Sequence, residues 1–188
     1  FAAPEAAPIL FTRLSENVLN ALPLSRELRS TLNYDALSRT AWFKNNPLVS
    51  DKKVAVVSAG TADGFVTREI TRTLEFSGRA FERFEDCGVA GLWRIEAALP
   101  AINACDCVVV VAGLDAALAS VLGGLTEKPL FAVPTSVGYG VAQSGMTAMS
   151  SMLASCAPGV AVLNIDNGYG AACAAIRVLR ALDKAAAA

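Results

Sequence analysis

Four segments of this chain run apolar on both faces and end in glycine or small polar residues: "KVAVVSAG", "CDCVVVVAG", "KPLFAVPTS" and "VAVLNIDNG". An alternating strand can leave one face in water, but a continuously apolar strand must be covered on both. Segments of helical periodicity lie between them. "DGFVTREITRTLEFSG" puts Val66, Ile70, Thr73 and Leu74 on one face and stops at Gly78. "RAFERFEDCG" supplies a further strand. Alternation of this kind predicts an α/β fold, a three-layer αβα sandwich around a central, mostly parallel, flavodoxin-like sheet with right-handed crossovers.

The remaining helices are expected at "LWRIEAALPAINA", broken or started at Pro100, and at "DAALASVLGGL", ending at its glycine pair. "GMTAMSSMLASCAPG" is a helix stopped by Pro158 and Gly159, and "YGAACAAIRVLRALDK" closes the chain. Residues 1–50 have a different texture. Leu14 to Leu22 is amphipathic with Ser15 as N-cap, and "ELRSTLNYDALSRTAWFKNN" carries charge but no clear strand. The 188 residues therefore divide into a short helical and irregular segment, 1–50, and an α/β domain, 51–188.

Hydrophobic residues make up 54% and charged residues 18%, which fits a fold covered on many sides or an oligomer. A net charge of -1 gives no case for nucleic acid or an anionic membrane as partner. No uninterrupted apolar run is long enough to span a bilayer. "FAAPEAAPILF" lacks a basic n-region and does not read as a signal peptide, and the chain begins without Met, so an upstream segment is expected to be missing, with which any targeting sequence could have been cut away. Five cysteines, at 87, 105, 107, 156 and 173, match no disulfide or zinc spacing. Cys105 and Cys107 read as buried reduced thiols, which points to the cytoplasm or another reducing compartment.

In an open parallel sheet the ligand lies beyond the carboxyl ends of the strands. Those ends carry "SAGTADG", "AGLDAA", "PTSVGYG" and "NIDNGYG". Backbone amides of Ser58–Gly64 suit a phosphate, with Ser58 and Thr61 as hydroxyl donors and Asp63 on a ribose; the same turn also reads as a plain one with Asp63 as N-cap. "PTSVGYG" is either a ligand loop or a simple connection. Convergence of four such loops favours a shared site. With no histidine in the chain, Ser–His–Asp and Cys–His catalysis and imidazole-bound zinc are excluded. Acid–base work falls to Asp63, Asp115, Asp166, Glu96, a tyrosine, a lysine or water. Asp106 reads as a strand-end residue, and the carboxylates of "FERFED" as a solvated face. Cys156, near the C-terminal end of its helix, is either an inert small hydrophobe or a nucleophile helped by a cationic substrate.

In order along the chain, "AVVSAGTAD", "GVAGLWRI", "VVVVAGLDAALASVLGGL", "PLFAVPTSVGYG" and "MLASCAPGVAVLNIDNGYGAA" resemble the LarB proteins, pyridinium-3,5-biscarboxylic acid mononucleotide synthases. The carboxyl half of those proteins is similar to the aminoimidazole ribonucleotide carboxylases, and the resemblance spans about Lys53 to Leu182. It implies carboxylation of nicotinic acid adenine dinucleotide by CO2 or bicarbonate, with hydrolysis of the phosphoanhydride to AMP, as the first step of nickel-pincer nucleotide synthesis. The family's attacking cysteine falls on Cys156, with Asp115 and Asp63 as further catalytic candidates. Ser58, Gly60, Thr61 and Asp63 are implied at the ribose and phosphate end. Thr135, Ser136, Gly138, Tyr139 and Gly140 are implied along the nucleotide, and Asn164, Asp166 and Asn167 around the ring. Mg2+ is implied at the phosphates near Asp63 or Asp115, and the assembly is a homo-oligomer, an octamer. Two positions depart from the family: Trp93 stands where it shows His, and Asp115 where it shows Glu. Two further readings are an aminoimidazole ribonucleotide carboxylase or mutase, whose chemistry relies on a histidine and needs no cysteine, and a non-catalytic nucleotide-binding homologue.

Overall fold

A computed structural model describes residues 7–187; the first residues of "FAAPEAAPILF" and the last of the closing alanines lie outside it. The chain opens with two short helices, α1 (Glu16–Ala21) and α2 (Arg26–Thr31). Each is capped by a serine hydroxyl, Ser15 accepting from the Val18 amide and Ser25 from the Leu28 amide. Strands β1 (Asn33–Asp35) and β2 (Thr40–Trp42) follow as an antiparallel ladder. This hairpin falls where no strand was expected. Three-residue strands carry too little pattern to read, and the ladder is held by a residue distant in sequence. The buried Arg72 guanidinium donates to the Asn33 side chain at 2.7 Å and to its carbonyl at 2.8 Å. It also donates to the Thr40 hydroxyl at 3.0 Å and lies 3.6 Å from the Trp42 ring centre.

The main sheet contains β3 (Ser50–Ser58), β4 (Arg79–Phe84), β5 (Cys107–Ala112), β6 (Leu130–Pro134) and β7 (Val160–Val162). Their order is β4-β3-β5-β6-β7 and every pairing is parallel, the flavodoxin-like arrangement. The helices are α3 (Gly64–Phe76), α4 (Leu92–Asn103), α5 (Ala117–Leu125), α6 (Met146–Leu153) and α7 (Gly168–Ala186). Helices α3 and α7 cover one face through Val66, Ile70, Leu74, Ala172 and Leu179 packed on Val54, Val56 and Val109. Helices α4, α5 and α6 cover the other through Ile95, Ile102, Leu122 and Met152 on Val108 and Val110. Each β5 side chain is fully buried, which explains its unbroken apolar run.

Two helix expectations change. Helix α4 runs through Pro100 without a break, because Pro100 stands on its exposed side and only one amide donor is lost. Helix α5 continues through its glycine pair to Leu125. Among the described residues no helix is long and apolar enough to cross a membrane.

Candidate active site

The carboxyl ends of β3, β4, β5 and β6 feed turns that pack backbone against backbone. The Gly88 amide donates to the Ala59 carbonyl at 2.8 Å, and the Leu114 amide to the Val137 carbonyl at 2.9 Å. A Cβ on Gly113 would stand 2.4 Å from the Val137 oxygen and 2.6 Å from the Thr135 hydroxyl, so only glycine permits this approach. Asp86, Leu114, Ala116 and Asp166, all in these turns or in the one after β7, hold left-handed backbone. Such strain gathers where a ligand surface is built.

The turns enclose a cleft of about 380 Å3 lined by Gly60, Thr61, Asp63, Asp86, Arg94 and Asp115, among others. Asp63, only 3% exposed, fastens it. One carboxylate oxygen accepts from the Thr135 hydroxyl at 2.7 Å and the other from the Gly60 amide at 2.9 Å. Burial pushes this carboxyl above its ordinary range, against the opposing pull of hydrogen bonds from Thr135, Gly60 and Gly113. With both oxygens engaged, Asp63 locks three turns together and has little capacity left for a ribose. Asp115 is exposed at the cleft and accepts a 3.3 Å bond from the Ala117 amide, its one hydrogen bond among the described residues, so it keeps free oxygen capacity.

Arg94 is the cation of the cleft, and sequence reasoning missed it. It pairs with Asp86 at 2.6 Å and donates to the Gly88 carbonyl at 3.3 Å. Its Nε is buried with no partner among the described residues. A guanidinium with an unspent donor at a glycine-lined cleft suits a phosphate or carboxylate. The signal was present: a cation in the first turn of α4 opposes the helix dipole and wants another reason to be there. The carboxylates of "FERFED" do form a solvated face, and Asp86 at its end also orients Arg94.

The other expected residues are dispersed. Ser58, 1% exposed, borders a smaller hollow with Gly60 and Thr61. The Thr135 hydroxyl is spent on Asp63, and the Ser136 amide donates to Asp166 at 2.8 Å. Gly138 packs on the Ala142 carbonyl outside the cleft lining, whereas its neighbour Val137 lines it. Tyr139 (79% exposed) and Gly140 project away into solvent. The Asn167 side chain caps α7 through the Gly170 amide at 2.9 Å. The Asn164 side chain accepts from the Ile165 amide, also at 2.9 Å. Trp93, next to Arg94, is 71% exposed.

Cys156 is the largest departure. It lies past the end of α6, in the connector to β7, and is exposed. That connector enters β7 at Val160, which pairs with Leu130, the first residue of β6, whereas the cleft lies past the last, Pro134. Roughly 13 Å of strand separates the two edges. Because β6 and β7 pair in parallel, the crossover returns the chain to the amino edge of the sheet, so within one chain this thiol is remote from the glycine turns. Cys105 and Cys107 are buried as expected, and burial pushes the Cys107 thiol up to about 12.

Among the described residues no group of three Cys, Asp or Glu side chains is placed to hold a metal. Asp63 is buried and held by Thr135 and Gly60, and Asp86 is paired with Arg94, which leaves Asp115 as the exposed carboxylate of the cleft. These residues do not form a cage for a resident Mg2+.

Residues 53–188 match the AIR carboxylase family, and the chain belongs to it. An uncharacterized protein of Methanocaldococcus jannaschii is 40% identical over 158 residues, 79% of this chain and 60% of that protein, so the chain spans less than two thirds of its relative's length. The crystal structure of a variant of Treponema denticola PurE2 is similar in fold, with TM-score 0.59 and 19% identity over 72% of this chain and 84% of that one.

Proposed function

We propose that this member of the AIR carboxylase family, a carboxylase-type chain, carboxylates ring carbon C5 of nicotinic acid adenine dinucleotide and releases AMP. The observation that carries this reading is the absence of histidine from the whole chain; Trp93, which departs from the resembled family's imidazole, speaks instead for a non-catalytic homologue. Aminoimidazole chemistry that relies on a histidine has no proton carrier here. A thiolate route to a pyridinium ring needs none.

In the first step the Cys156 thiolate adds to C4 of the cationic ring, and aromaticity is exchanged for an enamine across N1, C6 and C5. C5 attacks CO2 and forms the new carbon–carbon bond. A base takes the C5 proton, and the returning electron pair expels the thiolate and restores the ring. Water cleaves the phosphoanhydride to give AMP and the dicarboxylated mononucleotide. Arg94 binds an anionic group of the substrate, the amides of the turn after β3 receive a phosphate, and Asp115 takes the proton. Any Mg2+ arrives on the substrate's phosphates.

Because Cys156 lies at the far sheet edge, the route requires the thiol of a second copy at the cleft of the first. Exposed apolar side chains on the same side as α4 and α6 support a homo-oligomer, an octamer by resemblance: Leu92, Trp93, Val141 (96% exposed), Met146 and Leu153. The remoteness of Cys156 favours a second reading, an aminoimidazole ribonucleotide carboxylase or mutase that uses no thiol. The test is incubation with isotopically labelled bicarbonate and either nucleotide. Label in a dicarboxylated mononucleotide with equimolar AMP supports the first reading. Label only in the aminoimidazole product supports the second, and binding without product supports a non-catalytic homologue.

A further inference from the structure

The tip of the β1–β2 hairpin stands beside space that the ring chemistry leaves unused. Residues 36–39 form that tip, and Leu37 borders two hollows at once. One, of about 190 Å3, shares Gly60 and Thr61 with the main cleft. The other, of about 740 Å3, runs on beneath the tip to Glu69, Ile165 and Asp166. The three follow one another around the turn after β3, the first two sharing Gly60 and Thr61 and the last two Leu37.

Arg13 and Arg39 stand at the far end of this series. The Leu14 amide donates to the Arg39 carbonyl at 2.8 Å, which holds the two arginines side by side. Both have left-handed backbone, φ 55° and 53°, a conformation uncommon for a side chain of this size. Both are exposed, and neither has an ion-pair partner among the described residues. Two carboxylates share the hollow: Glu69 accepts from the Tyr169 amide at 3.0 Å and is drawn electrostatically to Arg13, and Asp166 accepts from the Ser136 amide, which leaves Arg39 the freer of the two cations. Helices α3 and α7 both begin here, adding positive field. The hairpin is not loose, because Arg72 holds its strands and Arg68 pairs with Asp35 at 2.9 Å.

A phosphoribosyl ring in the main cleft uses Arg94 and the amides of the first turn. A dinucleotide carries a second phosphate and nucleoside that this cleft, at the small end for a ligand site, does not hold. We infer that Arg13 and Arg39 form a second anion subsite, which takes the distal phosphate of a dinucleotide whose reacting ring lies beside Arg94. The inference rests on the dinucleotide reading and explains what residues 1–50 contribute, since they convert a mononucleotide site into a dinucleotide site.

ADP serves as probe for the distal half, titrated calorimetrically into the whole chain and into Arg13→Gln, Arg39→Gln, the double variant and, as a control outside these hollows, Lys128→Gln. Binding at least about tenfold weaker in the double variant, with Lys128→Gln unchanged and unaltered thermal melting throughout, is expected. No ADP binding by the unsubstituted chain, equal binding by the double variant, or an equal loss in Lys128→Gln would overturn the subsite. If ADP behaves as expected but the dinucleotide is never carboxylated, the subsite stands and the ring chemistry fails. If the dinucleotide is carboxylated with the same KM by the chain and its double variant, the reverse holds.

Discussion

The Thr135 hydroxyl donates a 2.7 Å hydrogen bond to the Asp63 carboxylate, tying the turn after β6 to the turn after β3 across the intervening β5. Sequence separation between the two is 72 residues, so the cleft exists only when the whole sheet has formed.

This carboxylate sets a pH dependence. Burial raises the folded carboxyl above its unfolded value, so the folded state binds the proton more tightly. Its contribution to stability is full below about pH 4 and is lost as pH rises through the raised folded value. Glu69, also raised by burial, acts in the same sense. Asp63→Asn is expected to make that decline shallower. It also costs about 1–3 kcal/mol, because its amide cannot accept from both Thr135 and Gly60. Urea unfolding at pH 4.5 and pH 7 measures both effects.

Arg94→Gln removes the cation of the cleft and frees Asp86, which is half exposed and tolerates it. Melting temperature is expected to stay within a few degrees, while KM for the nucleotide rises about tenfold or more with a smaller change in kcat. Steady-state kinetics separates the two parameters.

Cys156→Ser leaves the fold intact, since the side chain is exposed, but is expected to lower carboxylation more than about a thousandfold. Cys173→Ser, at a half-buried thiol on α7, controls for general thiol effects and keeps activity. Product assays with circular dichroism of both variants check this.

Arg72→Met keeps volume but leaves the Asn33 carbonyl and side chain without their donors. A loss of about 2 kcal/mol is expected, together with faster proteolytic cleavage within residues 33–42. Limited proteolysis followed by mass spectrometry locates the cut.

Much of this was legible in the sequence. The buried parallel strands announced themselves because β5 and its neighbours have no wet face to alternate toward. The convergence of Gly60, Thr61, Asp63 and Asp115 followed from their places at strand ends. Less visible was how side chains would be spent. Thr135 and Asn167 are polar in loops like any ligand group, yet one fastens Asp63 and the other caps α7. Arg94 gave only a weak hint, from its place in a helix's first turn. The edge occupied by Cys156 was derivable from the parallel pairing alone, since the end of a crossover helix leads to the amino edge and never to the carboxyl edge of a parallel sheet.

The central claim is that a thiol from one copy completes the cleft of another. Co-expression of Cys156→Ser with Arg94→Gln, assayed for carboxylation of the dinucleotide at low substrate concentration, tests it directly. Mixed oligomers are predicted to recover a clear fraction of the unsubstituted activity, because some sites join an intact cleft to an intact thiol. A mixture no more active than its parents would contradict the claim.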